Sequence, residues 1–384
     1  MQQVITSDFK LGILGGGQLG KMLCQVSRNW DLKTYVLDPN EKCSAIHNCA
    51  KFFKGDFKDY KTVYQFGKQV DVLTIEIEAV NTDALLKLQE EGVKVYPDPK
   101  AISIIQDKGL QKQLYVDNGI KTSDFVLFDD EKEVIDAVKN GALKIPFVQK
   151  ARKDGYDGKG VKVVNDDSDL SELLKGSCLI EDLVDLEKEI SVIVARNPEG
   201  EIKCFPPVEM EFNSDANLVE FLFAPSNLTE AQVNEANLLA EKTIEALDIV
   251  GLLAVEMFLD KNGNILVNEV APRPHNSGHQ TIEANLTSQY EQHLRAILNF
   301  PLGDTEIISP SVMINLLGEP GFEGPVKYEG LNECMQISGF NLHVYGKEVT
   351  KSFRKMGHVT ILDKDLSVAK IKARKVQKIL KVKA

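Results

Sequence analysis

Excess basic charge, closely paired cysteines and long apolar runs are all missing from this chain of 384 residues. Lysine and arginine number 45 against 57 aspartates and glutamates, a net charge of −12, which excludes a general nucleic-acid binder held by phosphate neutralisation. Any phosphate-bearing partner must be met by local clusters of cations. The six cysteines, Cys24, Cys43, Cys49, Cys178, Cys204 and Cys334, include no Cys-x-x-Cys pair, so neither a zinc ribbon nor a redox dithiol is indicated. Reduced, mostly buried thiols are expected. No apolar run approaches the roughly 20 residues that span a bilayer, and the N-terminus has no charged-then-apolar leader pattern. The expectation is a cytoplasmic enzyme with no nucleic-acid and no membrane partner. What is present is 43% hydrophobic and 27% charged residues, a globular composition with length for two or three domains.

Residues 11–14 read as a short apolar strand, Gly15-Gly16-Gly17-Gln18-Leu19-Gly20 as a turn, and Leu19, Met22, Leu23, Val26 and Trp30 recur at helical spacing. A second strand over 33–37 ends at Asp38. The turn fits Gly-x-Gly-x-x-Gly with an acid where a dinucleotide ribose would need one. Backbone N–H groups at a helix start accept any phosphate, however, so a phosphorylated substrate fits equally well. Strands over 71–77 and 93–96, with an amphipathic segment over 84–88 between them, complete a small parallel α/β domain. Glu76 and Glu78 end a strand, where ligands of such sheets bind. After Pro97-Asp98-Pro99 a helical stretch over 102–116 sets a domain boundary near 105.

Residues 147–150 and 161–164 read as strands around Ala151-Arg152-Lys153-Asp154-Gly155-Tyr156-Asp157-Gly158-Lys159-Gly160. The glycines, with Arg152, Lys153 and Lys159, make a flexible cationic flap able to fold backbone amides over a polyphosphate. It lacks the spacing and the following helix of a P-loop. The apolar strand running into a linker at Leu179-Ile180-Glu181-Asp182-Leu183-Val184, then a strand over 188–194, offers the apolar walls and backbone hydrogen bonds an adenine ring needs.

Residues 254–259 and 265–270 flank Asp260-Lys261-Asn262-Gly263-Asn264, and Asn-Gly is a strong hairpin signal. A two-residue Asn262-Gly263 turn puts Glu256 opposite Glu269. Facing carboxylates are unfavourable unless a cation lies between them, and Mg²⁺ is commonly held by one or two carboxylates plus substrate phosphates. Immediately downstream, Pro272-Arg273-Pro274-His275-Asn276-Ser277-Gly278-His279 adds a guanidinium and two imidazoles, the composition of a reaction site. His275 and His279 follow a proline-rich loop with no general-base glutamate between them, so they do not read as a zinc pair.

Taken in order, the glycine-rich unit, the flap, the Glu-Asp-Leu-Val passage with Glu189, and Glu256 with Asn268-Glu269 resemble the ATP-grasp superfamily of carboxylate-amine ligases. Within it, Gly17-Gln18-Leu19-Gly20, Glu76-Ile77-Glu78, the Gly155-to-Gly160 motif and the segment ending Asn276-Ser277-Gly278-His279 are similar to the 5-(carboxyamino)imidazole ribonucleotide synthase family. The likeness runs from about residue 11 to about residue 360 and includes Pro310-Ser311-Val312-Met313-Ile314-Asn315-Leu316 and Tyr345-Gly346-Lys347-Glu348. It implies a mixed α/β and α+β architecture: a Rossmann-like pre-grasp domain over 1–105, an ATP-grasp domain over 106–300 and a small β-rich C-terminal domain over 301–384. The implied activity is ATP-dependent carboxylation of 5-aminoimidazole ribonucleotide with bicarbonate through carboxyphosphate, in purine biosynthesis, with Mg²⁺ as cofactor and a homodimer as the assembly. The alternatives are a formate-dependent glycinamide ribonucleotide enzyme, disfavoured by Asn276-Ser277-Gly278-His279, and a noncatalytic nucleotide binder, disfavoured by the Glu256 and Glu269 pair.

The resemblance also distributes roles. Lys108 and Lys150 would touch ATP phosphates, and the flap, Lys153, Asp154, Gly155, Tyr156, Asp157, Gly158 and Lys159, would close over them. Lys108 stands where many relatives carry arginine, which loses the planar fork. Glu181, Asp182, Leu183 and Val184 would bind adenine, and Glu189 the ribose hydroxyls. Asn268 would join the nucleotide side, while Glu256 and Glu269 would hold magnesium. Tyr156, Asp157, Lys159, Arg273 and His275 would act at the reacting centre. Gln18, Leu19, Glu76 and Asn276 would line the ribonucleotide, whose phosphate would meet Lys347, Arg354 and Lys355, while Asp38 falls to a structural role. The basic stretch over 370–383 reads as an amphipathic helix with a solvated face.

Overall fold

The computed structural model describes residues 5–153, 155, 160–213 and 218–384. Short apolar runs near the N-terminus form a parallel sheet of β1 (Lys10–Leu14), β2 (Lys33–Asp38), β3 (Lys51–Lys54), β4 (Val72–Ile75) and β5 (Lys94–Val95), whose central strands β1 and β4 are buried and whose edge strand β3 is partly exposed. Their order is β3-β2-β1-β4-β5, and α1 (Gln18–Ser27), α2 (Tyr60–Gly67) and α3 (Thr82–Glu90) connect them. Chain order reverses between β1 and β4, which opens a crevice beyond their C-terminal ends. The Gly15 turn lies on one side of it and Glu76 on the other.

The helical stretch expected over 102–116 is two helices, α4 (Pro99–Ile105) and α5 (Lys108–Asp117). Asp107 separates them because its Oδ1 caps the second, accepting from the backbone N–H of Gly109 at 2.9 Å and Leu110 at 3.2 Å. Lys108 thereby becomes the first residue of a helix.

Next come β6 (Phe125–Phe128), α6 (Glu131–Lys139), β7 (Phe147–Ala151), β8 (Val161–Val164) and β9 (Cys178–Asp182), an antiparallel sheet ordered β6-β9-β7-β8. The remainder is β10 (Leu186–Arg196), β11 (Ile202–Cys204), β12 (Val208–Asn213), β13 (Leu218–Ala224), α7 (Glu230–Ala246), β14 (Gly251–Asp260), β15 (Ile265–Ala271), α8 (Thr281–Ala284), α9 (Gln289–Ile297) and β16 (Ser311–Leu317). It continues as β17 (Gly324–Pro325), β18 (Lys327–Glu329), α10 (Leu331–Cys334), β19 (Phe340–Val344), β20 (Val349–Thr350), β21 (Lys355–Leu362), α11 (Leu366–Ile379) and β22 (Lys381–Lys383). One sheet runs β15-β14-β10-β12-β13-β16-β21-β19, with β11 beside β10. It crosses the boundary expected at 300, where β13 pairs with β16. The helix expected over 370–383 is α11, and the last residues pair instead with β18.

Strand periodicity decides which side chains reach the cleft. Ile190, Val192 and Val194 of β10 and Leu253, Val255 and Met257 of β14 pack against Ala236, Leu239, Ala240 and Ile244 of α7. Because side chains alternate along a strand, Glu189, Ser191 and Glu256 project from the other face.

Candidate active site

The β14–β15 hairpin does not turn at two residues as expected. Asp260 N donates to Asn264 O at 3.0 Å, and Gly263 at φ +86° ends a three-residue loop. Met257 therefore faces Val267, yet Glu256 faces Glu269, because Asn268 is an extra residue that resets the register. The bulge has a second effect. Ile265, Val267 and Val270 all enter the core under α7, a spacing of two and then three, so both Asn268 and Glu269 turn to the cleft.

Opposite them stand lysines from two other elements. Lys108 Nζ donates to Glu269 Oε2. Lys150, on β7, donates to Asn268 Oδ1 at 2.7 Å and lies 2.7 Å from Glu181 Oε2. Glu181, on β9, is ion-paired on its other oxygen to Lys112 of α5 at 2.7 Å, with both of those side chains 3% exposed. The Glu181 carboxylate is thus held between two ammonium groups, while Asp182 at the end of β9 and Leu183 beyond it are exposed. Lys112 also reaches Thr122 Oγ1 at 2.5 Å and Ser123 Oγ at 3.0 Å.

On the crevice side, Glu76 occupies the glycine turn. Its carboxylate accepts from Gly17 N at 2.8 Å and Gly20 N at 2.9 Å, and so serves as the missing cap of α1, which lacks a side-chain cap of its own. Gly15, at φ +99°, has no room for a side chain: a Cβ would lie 2.5 Å from Glu76 Cγ. Asp38 accepts from Gly16 N at 2.7 Å, a structural tie. Gln18 and Leu19 open α1 beside this turn. Arg273 pairs with Glu78 at 2.8 Å. His275 sets Nε2 3.3 Å from Glu256 Oε1, and its Nδ1 lies 2.9 Å from Ser277 Oγ, which lies 2.8 Å from Ser191 Oγ. Asn276 begins the short turn that follows.

The C-terminal cations separate into two groups. Lys347 Nζ donates to the Lys355 carbonyl at 2.7 Å, and the Lys355 charge is felt by Glu256. Arg354 instead folds back on its own loop, donating to Val349 O at 2.5 Å.

The electrostatics follow from crowding. Burial, with Glu269 and Glu189 alongside, raises the Glu256 carboxyl above its usual range, while the Lys108 ammonium holds Glu269 below it. Burial also lifts Glu189 and Glu76 to about 7 each and lowers Lys112 to about 8. Two opposed carboxylates with a third nearby, one of them disfavoured as an anion, are a place where Glu256 and Glu269 could offer oxygen donors to a hard divalent cation. No group of three or more His, Cys, Asp or Glu side chains among the described residues is arranged to hold a metal by itself, so further ligands would have to come from substrate phosphates.

Asp154, Tyr156, Asp157, Gly158 and Lys159 lie outside the described residues. Lys153 is exposed two residues past the end of β7, and Gly155 approaches Gly160, whose φ is +84°. Arg152, read from sequence as part of the flap's charge, makes a bidentate pair with Asp107 at 2.9 Å for each contact. It ties the flap's root to the start of α5. Lys112 escaped sequence reasoning because a lysine on an amphipathic helix reads as solvated. Its position one turn after Lys108 on the same helix was the available signal.

Residues 9–106 match the family described as ribonucleotide synthetase preATP-grasp domain, 113–290 the ATP-grasp domain, and 311–372 the phosphoribosylaminoimidazole carboxylase C-terminal domain. A chloroplastic phosphoribosylaminoimidazole carboxylase of Vigna aconitifolia is 39% identical over 368 residues, 93% of this chain and 64% of that protein, so the chain spans less than two thirds of it. An N5-carboxyaminoimidazole ribonucleotide synthase of Staphylococcus epidermidis is 36% identical over 366 residues, 93% of each chain. Among solved structures, the N5-carboxyaminoimidazole ribonucleotide synthetase of Thermotoga maritima is 43% identical with a TM-score of 0.90, covering 98% of this chain and 99% of that one. A synthase from Aspergillus clavatus, in complex with ADP and 5-aminoimidazole ribonucleotide, is 31% identical with a TM-score of 0.88, covering 97% and 99%.

Proposed function

The chain belongs to the N5-carboxyaminoimidazole ribonucleotide synthase family of ATP-grasp ligases, and from that premise we propose that it carboxylates 5-aminoimidazole ribonucleotide with bicarbonate and ATP. Bicarbonate is a poor electrophile until phosphorylated. Transfer of the ATP γ-phosphoryl group gives carboxyphosphate and ADP. Its carboxyl carbon, attacked directly or released as CO₂, then bonds to the substrate amine, which loses a proton as phosphate departs.

That sequence needs positive charge fixed at the phosphates, an oriented ribonucleotide and exclusion of water. We assign Lys108 and Lys150 to the ATP phosphates. Lys150 is pre-positioned by Glu181 and Asn268, so little reorganisation accompanies phosphoryl transfer. Glu256 and Glu269 would hold Mg²⁺, which when bound neutralises phosphate charge. Glu189 takes the ribose hydroxyls, and Asp182, Leu183, Val184 and the backbone at Glu181 take the adenine. To the flap from Lys153, including Tyr156, Asp157 and Lys159, we assign the role of covering the phosphates and keeping water from the intermediate.

Arg273 and His275 belong to the reacting centre in this reading, with Gln18, Leu19, Glu76 and Asn276 beside the aminoimidazole. Lys347, Arg354 and Lys355 receive the ribose phosphate. Residues 1–105 thus present the ribonucleotide, 106–300 the ATP, and 301–384 the phosphate cations. A cytoplasmic homodimer is the form proposed, on the family resemblance.

The observation that carries the proposal is the bulged hairpin, which turns Asn268 and Glu269 together toward Lys150 and Lys108 and opposite Glu256. The test is ADP release with 5-aminoimidazole ribonucleotide and bicarbonate, against formate with glycinamide ribonucleotide. Turnover with the second pair alone would refute the assignment.

A further inference from the structure

Behind the active-site turn three imidazoles stack in a column. The ring of His279 lies 4.5 Å from that of His358 at an interplanar angle of 23°, and His358 lies 4.4 Å from His343 at 10°. His343 and His358 are direct cross-strand partners on β19 and β21. The outer end is anchored by Glu283 of α8, whose Oε1 lies 2.5 Å from His343 Nε2. The middle ring is fixed by Tyr345, whose hydroxyl lies 3.0 Å from His358 Nδ1. His279 and His358 are buried.

The inner end meets the machinery. His279 Nδ1 accepts from Gln289 Nε2 at 3.3 Å and lies 3.2 Å from the Tyr290 hydroxyl. Gln289 grips the backbone of His275 at both ends, its Oε1 accepting from His275 N at 2.8 Å and its Nε2 donating to His275 O at 2.7 Å. His358 shares β21 with Lys355, and His343 lies just before the Tyr345 to Lys347 loop. The rings therefore connect the turn bearing Arg273, His275 and Asn276 to β21, which begins at Lys355, and to the loop after β19, which bears Lys347. Face-to-face packing of flat, rigid side chains transmits position without a flexible joint.

We propose that His279, His358 and His343 are positioning residues. Their stack sets the distance between the His275 turn and the phosphate cations, and so fixes the ribonucleotide for carboxylation without touching it. The proposal rests on the function assigned above.

The experiment compares His343→Leu and His358→Leu with His343→Phe and His358→Phe, which keep a flat ring. In the leucine variants the KM for 5-aminoimidazole ribonucleotide should rise on the order of tenfold, more ATP should be cleaved per product formed, and the KM for ATP should stay within about twofold. The phenylalanine variants should recover most of the loss. Hydrogen exchange of the backbone over 272–279 gives a readout that needs no turnover: it should quicken about tenfold in the leucine variants while β1 and β4 stay protected. Unchanged exchange there, or equal losses for ATP and ribonucleotide, would overturn the column's role. If the parent enzyme shows no ribonucleotide carboxylation, the functional reading fails while the exchange measurement still decides the column. Should the buried His358→Leu variant fail to fold, the partly exposed His343 pair carries the test.

Discussion

Replacing Lys112 by methionine removes one of the two cations enclosing Glu181. Breaking a buried ion pair from one side costs about 3–5 kcal/mol, since it leaves a charge without its partner. Both side chains are 3% exposed, so solvent offers no relief, but Lys150 remains 2.7 Å from Glu181. The loss should therefore sit near the lower end, about 3 kcal/mol. For a folding unit of roughly 200 residues that lowers Tm by about 6–12 °C. Glu181→Gln leaves two ammonium groups without a carboxylate and should lie at the upper end, about 5 kcal/mol. The double variant should be less damaged than the sum by about 1–3 kcal/mol, because each change removes the charge the other leaves unpaired. Thermal unfolding of the four proteins measures this, and calorimetric titration with ATP should show weaker binding wherever Lys150 has been pulled from its place. A Lys112→Met protein melting within about 2 °C of the parent, or strict additivity, would refute the account.

Glu269→Gln should keep the fold and lose most ATP-dependent turnover, because an amide would weaken the Mg²⁺ coordination proposed for this residue where phosphoryl charge develops; normal turnover at ordinary magnesium concentration would remove the residue from that role. Glu189, raised to about 7 in the fold from about 4.3 when unfolded, binds its proton more tightly in the native state. Its favourable contribution is present below the unfolded value and lost as pH rises through 7. Glu189→Gln should therefore gain Tm relative to the parent at pH 8 but not at pH 4, and an equal offset at both would count against the shift. Lys347→Ala with Arg354→Ala should weaken ribonucleotide binding by roughly thirtyfold and leave Mg²⁺-ATP binding nearly intact, as calorimetry with each ligand would report; equal losses for both ligands would return the loop to a surface role.

Local patterns were legible where a single element carried them. The first strand and helix, and the opposition of Glu256 to Glu269, follow from periodicity and a turn signal. The opposition came out correctly although the turn itself is one residue longer, because the bulge at Asn268 compensates. That bulge was written in the two-then-three spacing of Ile265, Val267 and Val270, but only a known core face makes the spacing meaningful. Partners distant along the chain were not legible. The glycine turn looks like a phosphate seat until Glu76, some sixty residues away, is seen to occupy it. The histidine stack draws residues 279, 343 and 358 from three segments, and no local pattern joins them.

The continuity of the large sheet governs how the protein can be divided. Residues 301–384 enter that sheet as β16, β21 and β19, with β16 hydrogen-bonded along β13 through Phe221, Leu222, Phe223 and Ala224. A fragment ending near 300 would bare that edge of β13, a row of unmatched N–H and C=O groups flanked by apolar side chains, and such edges recruit other strands. Made alone, either piece should be sticky and poorly soluble. Made together, the same edge becomes a specific recognition surface, so a chain severed in the loop before β16 is suited to reassembly from two polypeptides, with catalysis switched on by their meeting.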